Sequence, residues 1–291
     1  MDYVGRIFRP PSEAHSALLQ VSVGCSHNGC TYCDMYTEKS FRAKPWDIIA
    51  RDIEEAERIG PRFTKMFLCD GDALILSTKR LLKILSAIQE RLPWVERISS
   101  YGDTRSVLRK SVAELKELRD AGLKMIYHGV ESGSDTVLER IQKGGTRAEV
   151  IETAQRLKDA DIAHSVILLL GIGGTEFSEV HAKETASLLT EIDPPYVGVL
   201  TTTIVPGTRI AASEEEGAFV LPDKFRLLEE LKILVADSAL TKCRFSSNHA
   251  SNYLPIRSSL PRDKTIILAA LDDILSQRDE SFLKPEFMRG L

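Results

Sequence analysis

Three cysteines lie within nine residues, in the run Gly24-Cys25-Ser26-His27-Asn28-Gly29-Cys30-Thr31-Tyr32-Cys33. The spacing C-x4-C-x2-C sets three thiolates on one short loop. Three such ligands can each bind one iron of a cubane [4Fe–4S] cluster and leave the fourth iron open to a substrate or cofactor. Glycines at 24 and 29 let the backbone wrap closely around the group. Zinc is the rival reading, because Cys25, Cys30 and Cys33 with His27 make a Cys3His donor set. Cys69 and Cys243 stand apart in the sequence and read as small buried hydrophobes. The total of five cysteines is odd, which argues against a disulfide framework and for a reduced compartment, the cytoplasm.

The elements that must position this loop follow a strand–helix alternation. Apolar β-type runs occur at about 17–24, 65–69, 97–101, 125–130, 164–170 and 196–204. Between them, helical spacing covers about 45–59, 78–92, 111–121, 135–142, 146–159 and 178–191. Repeated βα units predict a parallel sheet. Six units fall short of the eight of a closed barrel, so the expected fold is α/β, a partial (β/α)6 TIM-like barrel over residues 1–210. In such folds the chemistry sits at the C-terminal ends of the strands, and the cysteine loop lies at one of them. After Pro206-Gly207 the alternation stops. Two helices, at about 222–239 and 263–277, flank a polar segment at 246–257, and residues 211–291 read as a helical C-terminal extension near the barrel mouth.

Composition narrows the function classes. The chain has 291 residues, 43% hydrophobic and 27% charged, with a net charge of −4 and no long basic run, which weighs against a nucleic-acid partner. No apolar stretch is long enough to cross a bilayer, and the N-terminus lacks the apolar core of a signal peptide, so no membrane partner is expected.

The cysteine loop resembles the signature of the radical S-adenosylmethionine (SAM) superfamily, whose usual spacing is C-x3-C-x2-C with an aromatic before the last cysteine. The resemblance covers roughly residues 15–210 and departs by one residue in the first spacing. Other strand ends carry it too. Asp70-Gly71-Asp72 stands where the family has a Gly-Gly-Glu motif for the methionine amino group of SAM. Gly129-Val130-Glu131-Ser132-Gly133 looks like the strand end of the branch related to methylthiotransferases, Elp3 and coproporphyrinogen oxidase. Gly171-Ile172-Gly173-Gly174 resembles the glycine-rich end of the fifth strand, which passes close to the adenine.

The resemblance implies a [4Fe–4S] cluster on Cys25, Cys30 and Cys33, with SAM as the second cofactor. It places Tyr32, Asp70, Gly71, Asp72, Glu131, Lys143, Gly171 and Gly173 against SAM. Lys143 would meet the SAM carboxylate, and Tyr32 would shield the cluster or face the adenine. A reduced cluster would cleave SAM to a 5′-deoxyadenosyl radical that abstracts hydrogen from a small-molecule substrate. The electron would come from a flavodoxin- or ferredoxin-type donor.

Each of these residues also has a plain structural reading: turn caps for Asp70 and Asp72, a helix cap or ion pair for Glu131, and a simple turn for 171–174. His128 and His164 read as core histidines. In the polar segment 246–253, His249 and Tyr253 are candidate proton or hydrogen donors on a substrate lid, with a solvated loop as the alternative. A carrier-type iron–sulfur protein, such as a haem carrier on the same scaffold, is the second functional class.

Overall fold

The computed structural model describes residues 1–290. Its strands are β1 (Ala17–Gln20), β2 (Ser22–Val23), β3 (Arg42–Ala43), β4 (Lys65–Cys69), β5 (Arg97–Tyr101), β6 (Leu123–Glu131), β7 (Ala163–Leu170), β8 (Tyr196–Thr201), β9 (Cys243–Ser246) and β10 (Arg257–Leu260). Eight of them form one sheet in the order β1-β4-β5-β6-β7-β8-β9-β10, while β2 and β3 pair separately and antiparallel. β1, β4, β5 and β6 pair in parallel, as do β7, β8 and β9; β10 returns antiparallel on β9. The six strands expected from the sequence are present in sequential order. The sheet ends in two edges, β1 and β10, so it is open and not a closed barrel.

The helices are α1 (Trp46–Ile59), α2 (Thr78–Arg91), α3 (Thr104–Leu108), α4 (Val112–Asp120), α5 (Asp135–Arg140), α6 (Arg147–Asp159), α7 (Gly174–Ile192), α8 (Arg209–Glu215), α9 (Lys224–Asp237) and α10 (Lys264–Gln277). No described helix is long and apolar enough to cross a membrane.

The chain forms two compact units. The first comprises Met1–Asn28, Cys33–His128 and Glu152–His164. Its core is built by β1, β4 and β5 against one stripe of each covering helix. α1 buries Ile49, Ile53 and Ala56, and α2 buries Leu81, Ile84, Leu85 and Ile88, the i, i+3/i+4 spacing of an amphipathic helix. α4 is started by a capping box in which the Ser111 hydroxyl and the Glu114 carboxylate satisfy each other's backbone amides. Phe67, Tyr101 and Tyr127, one from each of β4, β5 and β6, meet edge to face with ring centroids 5.0, 5.9 and 6.3 Å apart.

The second unit comprises Gly29–Tyr32, Gly129–Ile151 and Ser165–Leu291. β7 and β8 place Val166, Leu168, Leu170, Val197 and Val199 in its core together with Leu231 and Leu234 of α9. The sequence-based boundary near residue 210 marks the change from βα repeats to α9, α10 and a hairpin; the compact units divide the chain elsewhere. The 211–291 region is also less purely helical than expected, because β9 and β10 bracket its polar segment and extend the sheet.

Candidate functional site

In the first unit, β4 delivers its last buried residue, Cys69, directly into Asp70-Gly71-Asp72. Asp70 is fully buried, and its Oδ2 accepts from three donors: the Gln20 amide at 3.0 Å, the Gly24 backbone N–H at 2.9 Å and the Lys39 ammonium at 3.1 Å. Lys39 is itself buried and also donates to the Arg6 carbonyl. A buried charge needs such company, since a lone carboxylate in an apolar interior is very costly. The Gly24 bond matters most, because it fastens the entry of the cysteine loop to the end of β4. A second tie lies two residues on, where the Ser26 hydroxyl donates to Asp72 at 2.6 Å. Asp72 is buried with Asp103 close by; burial first, and then that neighbouring carboxylate, push its carboxyl up to about 7. Asp72 precedes a short 3-10 turn but makes no side-chain cap to it, so capping is not what places its carboxylate.

Gly71 sits between these two acids, and a side chain there would collide. An added Cβ would stand 2.9 Å from Cys25 Cβ and 2.8 Å from the ring edge of Tyr36. Glycine is therefore required for the β4 end to meet the cysteine loop closely. At Gly24 the reason is conformational: φ is +79°, and an added Cβ would press on the Lys39 carbonyl at 2.9 Å.

Sequence reasoning missed Gln20, Tyr36 and Lys39. Gln20 ends a strand, and the other two lie past the last cysteine in a stretch without periodicity; only the three-dimensional pairing gives them meaning. His128 and His164 are core residues, as expected. Both are buried, with His128 Nδ1 3.1 Å from His164 Nε2, and Thr104 completes the chain at 3.0 Å. Burial lowers the His164 imidazole to about 4.

In the second unit, Glu131 takes a left-handed backbone with φ +66° at the end of β6 and pairs with Lys143 at 2.9 Å, folded across Gly129. The two residues singled out from the sequence thus meet each other. Helix α5 has Ser134 as its N-cap residue, so Glu131 does not cap it. The Gly171 turn opens α7. Gly171 has φ +79°, and a Cβ there would meet the Leu227 side chain at 2.6 Å. Its backbone N–H donates to the buried Glu230 carboxylate at 2.7 Å. Glu230 in turn lies 4.0 Å from His181 Nε2, and His181 Nδ1 is 2.8 Å from the Ser132 hydroxyl. The Ser132 strand end is thus bonded to His181 of α7 and the Gly171 turn to Glu230 of α9, and His181 Nε2 has no hydrogen-bond partner between them. Burial raises the Glu230 carboxyl to about 7 and lowers the His181 imidazole to about 4. A Cβ at Gly173 would be only tightly accommodated, 3.3 Å from His181 Cβ.

The loop residues Gly29–Tyr32 belong to this unit. Thr31 N–H donates to the Ile141 carbonyl at 2.9 Å, Ile210 N–H donates to Thr31 at 3.0 Å, and Arg209 reaches the Gly29 carbonyl. Tyr32 packs on the apolar cluster that contains Ile141, Ile172 and Ile210. The polar segment is fixed to the end of β8. Ser251 Oγ accepts from Thr201 N–H at 3.0 Å, and Asn252 bridges the Thr201 hydroxyl and the Val199 carbonyl at 2.8 Å each. His249 contacts Ser251 at 2.9 Å, and burial lowers its imidazole below the ordinary value. Tyr253 is engaged elsewhere: its hydroxyl donates to Glu286 at 2.7 Å and accepts from Arg289 at 2.6 Å.

Cys25, Cys30 and Cys33 are half-buried and none is in a disulfide, whereas Cys69 and Cys243 are buried. Burial pushes those two thiols up to about 12, which keeps them protonated and inert. Among the described residues, no three His, Cys, Asp or Glu side chains converge as a formed metal site. The donor set itself fits an iron–sulfur cluster: three accessible thiols on one glycine-bounded loop, each able to supply a thiolate.

Residues 19–186 match the family model described as the radical SAM superfamily. Among curated relatives, a haem chaperone HemW from Bacillus subtilis is 22% identical over 219 residues, covering 73% of this chain and 57% of the relative. A tRNA-2-methylthio-N(6)-dimethylallyladenosine synthase from Treponema denticola is 27% identical over 207 residues, covering 65% of this chain and 44% of the relative. The chain spans about half the length of these relatives. Among solved structures, coproporphyrinogen III oxidase (HemN) from Escherichia coli superposes with a TM-score of 0.56 at 16% identity, covering 76% of this chain and 51% of that one. That likeness is one of fold, the partial barrel.

Proposed function

The chain belongs to the radical SAM superfamily, and on that premise we propose that it cleaves SAM reductively and directs the resulting radical to a small organic substrate. The observation that carries this reading is the double tether of the β4 end to the cysteine loop, Gly24 to Asp70 and Ser26 to Asp72, with Gly71 in contact with Cys25. A loop fastened in this way holds Cys25 beside the half-buried Gly71 backbone, which suits a cluster with an amino-acid ligand next to it.

When bound, the cluster and SAM supply one-electron cleavage of the C5′–S bond and a carbon radical that abstracts hydrogen. The chain's own residues bind and orient. Cys25, Cys30 and Cys33 hold the cluster. Asp70, bonded to Gln20, Gly24 and Lys39, acts as a positioning residue of the loop. The Gly71 backbone and Asp72 meet the methionine amino group. Glu131 and Lys143, as a matched acid and base, bind the polar end of SAM. Gly171 and Gly173 let the backbone approach the adenine, and Tyr32 covers it from the loop side. His249, whose imidazole burial lowers below its ordinary value, is the candidate to move a proton near the end of β8. Tyr253 is the weaker donor candidate, because Glu286 and Arg289 already use its hydroxyl. Residues 211–291 form the wall that carries these groups. A flavodoxin- or ferredoxin-type donor in the cytoplasm would supply the electron.

The test is anaerobic reconstitution with iron and sulfide, followed by dithionite and SAM, with 5′-deoxyadenosine measured by chromatography. Its formation supports the enzyme. A second reading, a haem carrier on the same scaffold, is favoured by the similarity to a haem chaperone. It would be supported by stoichiometric haem binding together with an intact cluster that leaves SAM uncleaved.

A further inference from the structure

Tyr36 lies three residues beyond the last loop cysteine, and its phenolic oxygen is a buried donor with no hydrogen-bond partner. Buried hydroxyls nearly always find one, because an unsatisfied donor costs the folded state free energy. The ring is not loose. Its edge rests over Gly71, where an added Cβ would come within 2.8 Å; Phe8 meets it edge to face at 5.5 Å; and the Lys39 ammonium stands 5.4 Å from its centroid. Lys39 is itself fixed by the buried Asp70 carboxylate. A rigidly placed donor without an acceptor is the arrangement expected of a group that waits for a ligand, since preorganisation lowers the cost of binding.

The surroundings state the chemistry of that ligand. Tyr36 and Cys25 crowd the same space above Gly71. A phenol is protonated at neutral pH and so carries a hydrogen to donate. An acceptor oxygen on a ligand bound against Gly71 and the cysteine loop would satisfy that donor.

Resting on the SAM reading above, we infer that Tyr36 is a ligand-binding residue whose hydroxyl donates to the carboxylate of the methionine moiety of SAM. The sequence motifs assign no role to this position.

The test uses full-length, anaerobically reconstituted protein and equilibrium binding of SAM, and of decarboxylated SAM as the probe that lacks the carboxylate. Tyr36→Phe is expected to weaken SAM binding on the order of tenfold. Iron content and the affinity for decarboxylated SAM should stay unchanged. Restoring a donor with p-aminophenylalanine at position 36 should recover the affinity, which a purely structural role would not require. Equal SAM affinity in wild type and Tyr36→Phe overturns the inference. So does an equal loss for both ligands, or a loss that the rescuing side chain leaves in place. Wild-type protein that holds its cluster and binds neither ligand refutes the SAM reading itself, a result distinct from these.

Discussion

At the end of β4 the chain is held by charge. Asp70, buried, gathers a strand, the cysteine-loop entry and Lys39 onto one carboxylate, and the Lys39 ammonium in turn holds the N-terminal segment at the Arg6 carbonyl. At the end of β7 it is held by backbone shape. Gly171 takes a left-handed conformation against Leu227, and the only acid involved, Glu230, receives a backbone amide instead of a cation. Both devices fix a strand end where a ligand is expected. They should fail differently: the first when a charge loses its partner, the second when a Cβ is added.

The largest effect belongs to the loop that the charged network fastens. Cys30→Ala should abolish cluster retention, whereas Cys243→Ala, at a buried thiol remote in sequence, should retain it; iron content per chain and visible absorption separate the two. Equal iron loading in both variants would break the ligand assignment. Next comes the ion pair itself. Lys39→Met leaves Asp70 buried without its cation and should cost about 3–5 kcal/mol of stability, read by denaturant unfolding. A loss under 1 kcal/mol would mean that the Gln20 and Gly24 bonds suffice.

The shape-held end should respond more mildly. Gly171→Ala should cost about 2–4 kcal/mol, from the left-handed backbone and the Leu227 contact together. Gly217 has φ +72° with nothing near an added Cβ, and there alanine should cost about 1 kcal/mol. The difference between these two variants isolates packing from conformation.

The smallest effect is one of pH. Glu230 is raised from 4.5 to about 7 in the folded protein, so the folded state holds a proton that the unfolded chain has released. Its contribution is fully present below about 4.5 and is lost as pH rises toward 7. His181, lowered from 6.5 to about 4, acts in the opposite sense, its contribution being lost as pH falls through that window. The stability of wild type minus that of Glu230→Gln should therefore decline with rising pH across this range, by up to about 1.4 kcal/mol per unit. A flat difference would show that the carboxyl is not shifted.

Much of this was legible in the residues, for reasons that also mark where legibility ends. Six strands and their covering helices follow from apolar periodicity, and α1 and β7 match their expected spans closely. β9 and β10 were not legible. Arg257–Leu260 reads Arg-Ser-Ser-Leu, too short and polar for a strand pattern, and its pairing with Cys243–Ser246 depends on a turn across 246–257. The three loop cysteines stand out by their spacing, which by itself suits an iron–sulfur cluster or zinc. Asp70, Glu131 and Gly171 were visible as motif positions, but their partners Lys39, Tyr36, Glu230 and His181 carry no local signal. His181 and Glu230 sit on α7 and α9, where a buried polar face looks like any other helix turn. Asp70 shows the gap best: the sequence placed it near the ligand, and the structure surrounds its carboxylate with protein donors.

The most direct test of the central claim is the electron paramagnetic resonance spectrum of the reduced, reconstituted protein, recorded with and without SAM. Three protein thiolates leave one iron open, so the account predicts a [4Fe–4S]⁺ signal whose g-values shift when SAM is added and do not shift with adenosine. A cluster spectrum indifferent to SAM, or colourless zinc-loaded protein with no signal at all, would contradict it.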